Sequence, residues 1–353
     1  MLSLLALLVS SALAYDYCPA VGYVGTGTSA VLWESTTTGE LYWEGSSTFE
    51  TTPNNFGDPT WSTTFNNTVD VISYGSTPSA WGAGVDDSGY LWAWGTGITT
   101  GLPSGEEPYS SPQCGSTGRC AVLDSGGHAE VWWGTSGLFG TPPAAGLFDV
   151  LAVGREVGCA ADSDTATGVT CWGSNADNLV TNPNKPGSGV QVVDIAVGRY
   201  VAVAVDVNGD TYCWHTARTG FWEAADEFCA NRPMDGIASV DVSETGQLFG
   251  VAQHFDGTAT VWEWSDGGNT TDALSGAPGW DTYGVPGLNQ YKPQGPSGEI
   301  VFRSIGVNIY HADGVVGVID DPKGLIEGPN VYAYGDVLYW DSDLGPDITE
   351  SCF

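Results

Sequence analysis

The stretch A-V-G-R-Y-V-A-V-A-V-D-V-N-G-D-T-Y-C-W, residues 196–214, contains the pattern from which the fold is predicted. Two apolar segments are separated by a Gly-Arg pair, and a polar turn leads into a third segment that ends in tryptophan. The run Val201–Val205 is apolar at every position, which is typical of a strand buried on both faces. Asn208-Gly209 is a strong hairpin signal, because both residue types accept positive φ. The stretch therefore predicts three successive antiparallel strands.

The same pattern recurs along the chain. A-V-G-R-E-V-G-C-A-A-D, residues 152–162, repeats the first part of this stretch, and looser copies cover residues 30–45, 69–95, 120–134, 239–264 and 303–335. The aromatic residues that close the units are Trp43, Trp94, Trp133, Trp172, Trp214, Trp264 and Tyr334. Repeats of about 40 to 50 residues with three or four strands each are typical of β-propellers. Seven units predict an all-β, seven-bladed β-propeller.

The pattern V-x-x-I-A-V-G, then a short apolar strand, then D-x-x-G-x-x-Y-x-W-G resembles the repeat of the regulator of chromosome condensation family. The resemblance covers residues 20 to 341 and is strongest in the two central units. It implies a seven-bladed propeller. The histidine common in that family's second strand is replaced here by the segments 157–159 and 201–203, so the resemblance implies the fold and not the family's nucleotide exchange activity. Other proteins of similar architecture are protein-binding scaffolds, including a secreted bacterial inhibitor of β-lactamases.

The first fourteen residues, MLSLLALLVSSALA, combine an apolar run with a small-residue cleavage pattern before Tyr15. They predict a signal peptide over 1–14 and hence a secreted, extracellular protein. Residues 15–353 are predicted to form a single propeller domain, in which 267–298, rich in Gly, Pro, Asn and Asp, is an inserted surface loop. The sequons at Asn66 and Asn269 make the chain a candidate glycoprotein.

The cysteines are even in number and stand at Cys18, Cys114, Cys120, Cys159, Cys171, Cys213, Cys229 and Cys352. Behind a signal peptide, they predict disulfides rather than a metal site, since no C-x-x-C pair occurs. A Cys18–Cys352 bridge would join the two ends of the ring, and Cys114–Cys120 would close a local loop. The remaining pairings, including Cys159–Cys171 and Cys213–Cys229, stay open.

The charge of the chain limits its partners. Nine Lys and Arg residues stand against 42 Asp and Glu, which gives a net charge of −33. Such a chain repels nucleic acid and anionic membranes, so neither is expected as a partner. Solubility is the favoured explanation of this acidic composition, and diffuse cation binding is the alternative.

Two of the few basic residues, Arg155 and Arg199, follow A-V-G in successive units. Equivalent positions of a propeller repeat lie on the same face of neighbouring blades, so the two arginines are predicted to lie side by side. They predict a contact with an anion or a protein partner. The further candidates for this binding site are Glu156, Tyr200 and Trp132. Alternatively, each arginine pairs with a local carboxylate, Glu156 or Asp194, and only orders its loop.

Most tryptophans repeat at one position of the unit and are predicted to pack blade against blade. The pairs Trp92–Trp94 and Trp132–Trp133 are expected to be more exposed and to be better binding candidates. The segment D-V-N-G-D, residues 206–210, is predicted to be a turn and not an EF-hand calcium loop, because position 217 is Ala where that loop needs Glu. A weak calcium contact from Asp206 and Asp210 stays open.

The sequence contains no catalytic motif. Its histidines are His128, His215, His254 and His311, which fall in different units without ligand spacing. No G-x-S-x-G, P-loop or H-E-x-x-H motif occurs. No catalytic residue, metal or cofactor is therefore predicted. The leading interpretation is a monomeric secreted propeller that binds an unidentified extracellular protein through loops on one rim. The alternatives are a lectin-like propeller that binds glycans and a carboxylate enzyme that acts on polysaccharides.

Overall fold

The computed structural model describes residues 21–26, 30–35, 41–45, 70–76, 79–85, 88–95, 102–103, 108–115, 119–132, 140–144, 146–174, 178–217, 222–243, 248–264, 280–285, 288–295, 298–299, 302–307, 315–319 and 331–334. The predicted signal peptide, the Cys18–Cys352 bridge, the two sequons and His311 lie outside the described residues. They stay predictions.

The described strands form seven antiparallel sheets. The first five sheets each have three strands in chain order. They are β1 (Val21–Thr26), β2 (Ala30–Ser35) and β3 (Leu41–Gly45); β4 (Asp70–Ser76), β5 (Ser79–Val85) and β6 (Leu91–Gly95); β7 (Ser110–Gly115), β8 (Arg119–Leu123) and β9 (Ala129–Trp132); β10 (Val150–Val153), β11 (Val157–Ala161) and β12 (Thr170–Gly173); β13 (Val192–Val197), β14 (Val201–Asp206) and β15 (Thr211–His215).

The sixth sheet is larger than the others. It contains β16 (Ile237–Val242), β17 (Phe249–His254), β18 (Ala259–Trp264), β19 (Trp280–Val285), β20 (Leu288–Gly295) and the short β21 (Gly298–Glu299). Its order is β16-β17-β18-β20-β19, with β21 paired to β20. The last sheet has β22 (Phe302–Val307), β23 (Val315–Ile319) and β24 (Val331–Tyr334).

The sheets follow one another around a ring. Each first strand contacts the first strand of the next sheet, in the order β1, β4, β7, β10, β13, β16 and β22, and β22 returns to contact β1. This is the arrangement of an all-β propeller, with the first strand of each sheet nearest the centre. Since the described ranges have gaps, the number of blades stays a prediction.

Alternation along the second strand explains how neighbouring sheets pack. Every residue of β14 is buried. Ala202 and Ala204 belong to the core shared with the fourth sheet, whereas Val201, Val203 and Val205 belong to the core shared with the sixth. Successive side chains of a strand point to opposite faces, so one wholly apolar strand serves two interfaces.

The tryptophan on the third strand lies opposite a small residue of the second strand. Trp172 faces Gly158, and Trp262 faces Gly250. A methyl group added to either glycine would come 2.5 to 2.7 Å from atoms of the facing indole ring. The glycine therefore makes the space in which the ring lies across the strand.

This register corrects two of the predicted closing residues. In the third and sixth sheets the tryptophan at the equivalent position is Trp132 or Trp262, rather than Trp133 or Trp264. Both segments, V-W-W-G and V-W-E-W, carry two tryptophans close together. The sequence alone could not decide which one lies opposite the small residue.

The segment 267–298, predicted to be a surface loop, contains a β-hairpin instead. Strands β19 and β20 pair with each other, and β20 pairs with β18 through Trp264↔Leu288 and Val261↔Tyr291. Aromatic and β-branched residues in W-D-T-Y-G-V favour a strand over a loop. The hairpin covers the edge of β18, so the insertion extends the sheet.

One helix, α1 (Trp222–Ala230), lies between β15 and β16 in the chain. The segment W-E-A-A-D-E-F-C-A contains good helix formers and places Ala225, Phe228 and Cys229 on its buried face. The Phe228 ring stacks on Trp262, with 5.2 Å between ring centroids. The helix was not predicted; it occupies the outer side of the fifth and sixth sheets.

Three disulfides lie within the described residues: Cys114–Cys120, Cys159–Cys171 and Cys213–Cys229. The first two join residues directly opposite each other in neighbouring strands, and the third ties β15 to α1. Structural disulfides form in oxidising compartments, so these three fit an extracellular protein. In the described part of the chain, no helix has the length and apolar character needed to cross a membrane.

Candidate functional site

The loops of the propeller lie at two opposite ends of its strands. We define the strand 1–2 rim by the loops that join the first strand of a sheet to the second, such as 154–156 and 198–200. We define the strand 2–3 rim by the turns that join the second strand to the third, such as 207–210. Because neighbouring strands are antiparallel, the two rims are on opposite faces of the ring.

Glycines bring neighbouring loops of the strand 1–2 rim into direct contact. A methyl group on Gly154 would lie 2.8 Å from Val197 Cγ1 and 3.0 Å from the carbonyl oxygen of Gly198. Gly115 packs in the same way against the Gly154 carbonyl, and Gly198 against the Ser243 carbonyl. Backbone meets backbone in each case, so a side chain at these positions would push the blades apart.

Arg155 and Arg199 directly follow two of these glycines. Both are half-buried, and the loops that carry them touch through Gly154 and Gly198. The structure thus places the two arginines on successive blades of the strand 1–2 rim. This gives an acidic chain a local concentration of positive charge.

A third arginine, Arg119, belongs to the same region. Its Nη1 donates a 2.9 Å hydrogen bond to the carbonyl oxygen of Arg155, and its side chain is buried. Burial lowers the pKa of Arg119, and the neighbouring Glu156 carboxylate acts in the opposite direction. Arg119 therefore fastens the Arg155 loop to the preceding blade. Sequence analysis missed it because it begins β8 and does not follow directly the glycine that ends β7.

The Tyr200 ring packs against the side chain of Arg199. The Arg199 guanidinium carbon lies 4.8 Å from the centroid of the Tyr200 ring, a cation–π contact. Tyr200 itself is buried, and its carbonyl oxygen accepts a 2.7 Å hydrogen bond from the Thr216 backbone amide. Tyr200, predicted as a binding residue, is thus a platform that orients the arginine rather than a surface for a partner.

Glu156 lies beside these arginines and is half-buried. Its backbone carbonyl accepts a 2.9 Å hydrogen bond from Ser174, which holds the loop against the end of β12. Its carboxylate is close enough to raise the pKa of Arg119. Glu156 therefore compensates part of the buried Arg119 charge.

Asp194 is the other carboxylate considered as a partner for an arginine, but it binds backbone amides instead. Its Oδ2 accepts a 2.8 Å hydrogen bond from the Val240 amide of the next sheet, and its Oδ1 accepts one from the Ile195 amide. Burial raises its pKa to about 7, these hydrogen bonds oppose that rise, and Asp241 adds to it. No ion pair joins Asp194 to Arg199 in the described part of the chain. Asp194 connects two blades.

Trp132 was predicted to be exposed and is not. Only 2% of its surface is accessible, and it packs in a core with Cys120 and Val122. Its position opposite Cys120 is the structural position shared by the other blade tryptophans, which explains its burial. Trp132 therefore belongs to the blade interface and is removed from the candidate binding residues.

The described histidines make local contacts. His128 Nδ1 lies 3.2 Å from Asp124, His215 Nε2 lies 3.3 Å from Asp226, and His254 Nε2 lies 2.8 Å from the Thr260 hydroxyl. No group of three or more His, Cys, Asp or Glu side chains that could hold a metal ion occurs among the residues that the structure describes.

Residues 206–210 form the turn expected from the sequence, with a different loop length. Asp206 Oδ1 accepts hydrogen bonds from the Asn208 and Asp210 amides at 2.8 and 3.0 Å. The Asp206 and Asp210 backbones pair, so the loop has three residues, and Gly209 is its only residue with positive φ. This is the loop class in which a glycine follows the turn, rather than a two-residue Asn-Gly link.

The same turns fasten each blade to the next at the strand 2–3 rim. The carbonyl of the positive-φ glycine accepts a hydrogen bond from the chain entering the next sheet: Gly89 from Tyr109 at 2.8 Å, Gly127 from Phe148 at 2.7 Å and Gly209 from Ile237 at 3.1 Å. The turns of this rim are thus part of the ring's construction.

Comparisons with known proteins support the fold. No protein-family model and no curated protein matches the sequence. Among solved structures, the CRINKLY WD40 ectodomain of the Arabidopsis thaliana receptor kinase ACR4 matches with a TM-score of 0.58 and 14% identity, covering 93% of this chain and 99% of that one. Prp20p from Saccharomyces cerevisiae, described with its binding to Gsp1p and histones, matches with a TM-score of 0.59 and 13% identity, covering 82% and 80%.

Human WBSCR16 gives a similar match, with a TM-score of 0.58 and 12% identity over 86% of this chain and 88% of that one. At such identities the likeness concerns the fold alone. The fold predicted from the repeat is confirmed: the chain is a β-propeller, similar in fold to Prp20p.

Proposed function

We propose that this protein is a secreted propeller that binds a protein partner through the strand 1–2 rim, with Arg155 and Arg199 at the centre of the contact. The observation that carries the proposal is the placement of these two arginines on adjoining loops. Each is held by a specific device: the Arg155 loop by the Arg119 hydrogen bond, and the Arg199 side chain by the Tyr200 ring. Binding residues on loops of a rigid scaffold are the usual way in which propellers function.

The electrostatics favour a contact with acidic groups of the partner. A chain with a net charge of −33 keeps two of its nine basic residues on neighbouring loops of one rim. Arginine forms bidentate hydrogen bonds with carboxylates and sulfates, and a pre-oriented guanidinium loses less conformational entropy on binding. The rim therefore provides a local attractive site on a protein that otherwise repels anions.

The solved structures of similar fold support a role in binding proteins. One is an ectodomain of a receptor kinase, and another was described with its binding to a protein partner and to histones. The three disulfides of this chain fit secretion. The lectin-like alternative loses one of the aromatic side chains considered as a binding candidate, because Trp132 is buried.

The test is affinity capture with the full chain from the extracellular medium of the cells that secrete it. The bait would be the wild-type chain, Arg155→Ala/Arg199→Ala and Arg155→Lys/Arg199→Lys, with bound proteins identified by mass spectrometry. We expect the alanine pair to lose a defined protein partner and the lysine pair to retain part of the binding through charge.

A control variant at the opposite rim, Asp164→Ala in the turn between β11 and β12, should capture the same partner as the wild-type chain. Equal melting temperatures of all variants would show that folding is intact. Capture of the same proteins by the wild-type chain and the alanine pair would contradict the proposal. Loss of binding to a glycan array, without loss of a protein partner, would favour the lectin-like alternative.

A further inference from the structure

Three large apolar side chains are exposed on the strand 2–3 rim of the fifth and sixth sheets. Val207 lies in the turn between β14 and β15 and is 49% exposed, and Phe255 lies in the turn between β17 and β18 and is 63% exposed. Met234, in the segment that joins α1 to β16, is 54% exposed. Large apolar side chains grouped on a surface mark interaction sites more often than single ones do.

Backbone contacts place these three segments together. The Phe255 amide donates a 2.9 Å hydrogen bond to the Gly236 carbonyl, two residues after Met234. Phe255 Cε2 lies 2.6 Å from the point that a methyl group on Gly209 would occupy, and the Gly236 α-carbon lies 3.1 Å from it. The turn that contains Val207 and Gly209 therefore adjoins both other segments. We name Val207, Met234 and Phe255 the apolar patch.

Acidic side chains border the apolar patch. Asp210, Asp235 and Asp256 are exposed and stand within three residues of a patch member. The Asp210 and Asp235 carboxylates make no hydrogen bond or ion pair in the described part of the chain. Asp256 Oδ1 accepts hydrogen bonds from the amide and hydroxyl of Thr258.

The basic residue of this region is turned inward. Arg232 donates from Nε and Nη2 to the carbonyl oxygen of Thr211, at 3.1 and 2.7 Å, and from Nη1 to that of Cys229 at 2.6 Å. Its charge is thus used to hold α1 against β15. The outward-facing charge around the patch is negative.

We infer that the apolar patch docks a cationic amphipathic segment of a partner protein, with Lys or Arg side chains flanking a few large apolar ones. The apolar side chains would cover Val207, Met234 and Phe255, and the cations would face Asp210 and Asp235. A second copy of this chain fits the surface less well, because each copy has a net charge of −33. The site is on the rim opposite Arg155 and Arg199, so it is independent of the proposed function.

The experiment uses the full secreted chain and a synthetic helical peptide with leucine on one face and lysine on the other. Two matched peptides replace every lysine by glutamate or every leucine by serine. Binding is measured by isothermal titration calorimetry at two salt concentrations. We expect the Lys-Leu peptide to bind, and both matched peptides to bind at least about tenfold more weakly, because apolar and charged contacts are both required.

Variants locate the binding. The Val207→Ser/Met234→Ser variant should bind the Lys-Leu peptide about tenfold more weakly than the wild type, since it lacks two exposed side chains that need not support the core. The Asp210→Asn/Asp235→Asn variant should bind this peptide about threefold more weakly, and its affinity should depend less on salt concentration. Arg155→Ala/Arg199→Ala should not weaken binding of the peptide, so failure here is distinguishable from failure of the proposed function.

Three results would overturn the inference. The serine-for-leucine peptide could bind as tightly as the Lys-Leu peptide, which would show only diffuse attraction to an acidic chain. The Val207→Ser/Met234→Ser variant could bind like the wild type, which would place the peptide elsewhere. Sedimentation could show a wild-type dimer that this variant abolishes, which would make a second copy the occupant.

Discussion

The strand 1–2 rim and the strand 2–3 rim both join one blade to the next, but they do so by different physical means. At the strand 1–2 rim, Gly154 and Gly198 are small so that backbone packs directly on backbone. At the strand 2–3 rim, Gly209 has a φ of +84°, and its carbonyl oxygen accepts a hydrogen bond from the Ile237 amide of the next blade. The glycines of the strand 1–2 rim are required for space, whereas those of the strand 2–3 rim are required for backbone conformation as well as for space.

The difference determines which side chains are available for function. The aspartates that precede the turns of the strand 2–3 rim, such as Asp206, accept hydrogen bonds from backbone amides of the turn and are therefore not available to a partner. At the strand 1–2 rim the glycines complete the blade contact with backbone atoms, and the residues after them extend from the joint. This explains why Arg155 and Arg199 occupy positions at which a binding surface can form.

The largest expected effect comes from filling the space at the strand 1–2 rim. Gly154→Ala should lower the free energy of unfolding by about 3 kcal/mol, because its methyl group would meet carbonyl oxygens of the next blade. Gly187→Ala is the matched control, since a methyl group there meets nothing within 4 Å. Chemical denaturation measures both. An effect at Gly154 no larger than that at Gly187 would break the distinction between the rims.

The next effect tests the hydrogen bonds of the strand 2–3 rim. Asp206→Ala should cost about 2 kcal/mol of unfolding free energy, because it leaves the Asn208 and Asp210 amides without their acceptor. Asp164→Ala, at an exposed position of the neighbouring turn, should change the same quantity by less than about 0.5 kcal/mol. Equal unfolding midpoints in urea for the two variants would show that the carboxylate does not hold the turn.

Two arginines of the strand 1–2 rim, Arg119 and Arg199, should contribute differently to the free energy of unfolding. Arg119→Ala should cost about 1.5 kcal/mol, because the Arg155 carbonyl loses its buried donor. Arg199→Ala should cost about 0.5 kcal/mol, the size of a partly exposed cation–π contact. Thermal unfolding compares the two. A reversed order would mean that Arg199, and not Arg119, fastens its loop.

Asp194, between the two rims, should make the free energy of unfolding depend on pH. Its pKa is raised from 3.8 to about 7 in the folded protein, mainly by burial. The folded state therefore holds a proton that the unfolded state releases, so this contribution to stability is present at acidic pH and is lost as pH rises through 7.

Between about pH 5 and about pH 8, the wild-type chain should lose about 2.5 kcal/mol more unfolding free energy than Asp194→Asn. Asp164→Asn is the control and should follow the wild type. Denaturation at the two pH values measures the difference. A wild-type slope equal to that of Asp194→Asn would show that Asp194 does not titrate in this range.

The repeat pattern was sufficient to predict strands and the location of turns, because wholly apolar runs such as Val201–Val205 suit a strand between two packed sheets. It could not predict which of Trp132 and Trp133 lies inward, since that depends on a register set by the neighbouring strand. Arg119 could not be found from the A-V-G-R pattern, because it is the first residue of β8 and does not directly follow Gly115. Helix α1 was missed because nine residues give too short a periodic signal.

The site was only partly predictable for a related reason. The sequence placed Arg155 and Arg199 at equivalent positions of two units, and the structure places both on one rim. Whether a neighbouring aromatic side chain is exposed depends on packing across blades, and Tyr200 and Trp132 are both buried. A position in the repeat therefore indicates a rim more reliably than it indicates exposure.

The most direct test of the central claim is hydrogen–deuterium exchange of the full chain with and without the protein partner captured by the wild type. The account predicts that binding slows amide exchange at residues 154–156 and 198–200 and leaves 207–210 and 233–236 unchanged. Slower exchange at the strand 2–3 rim, with no change around Arg155 and Arg199, would contradict it.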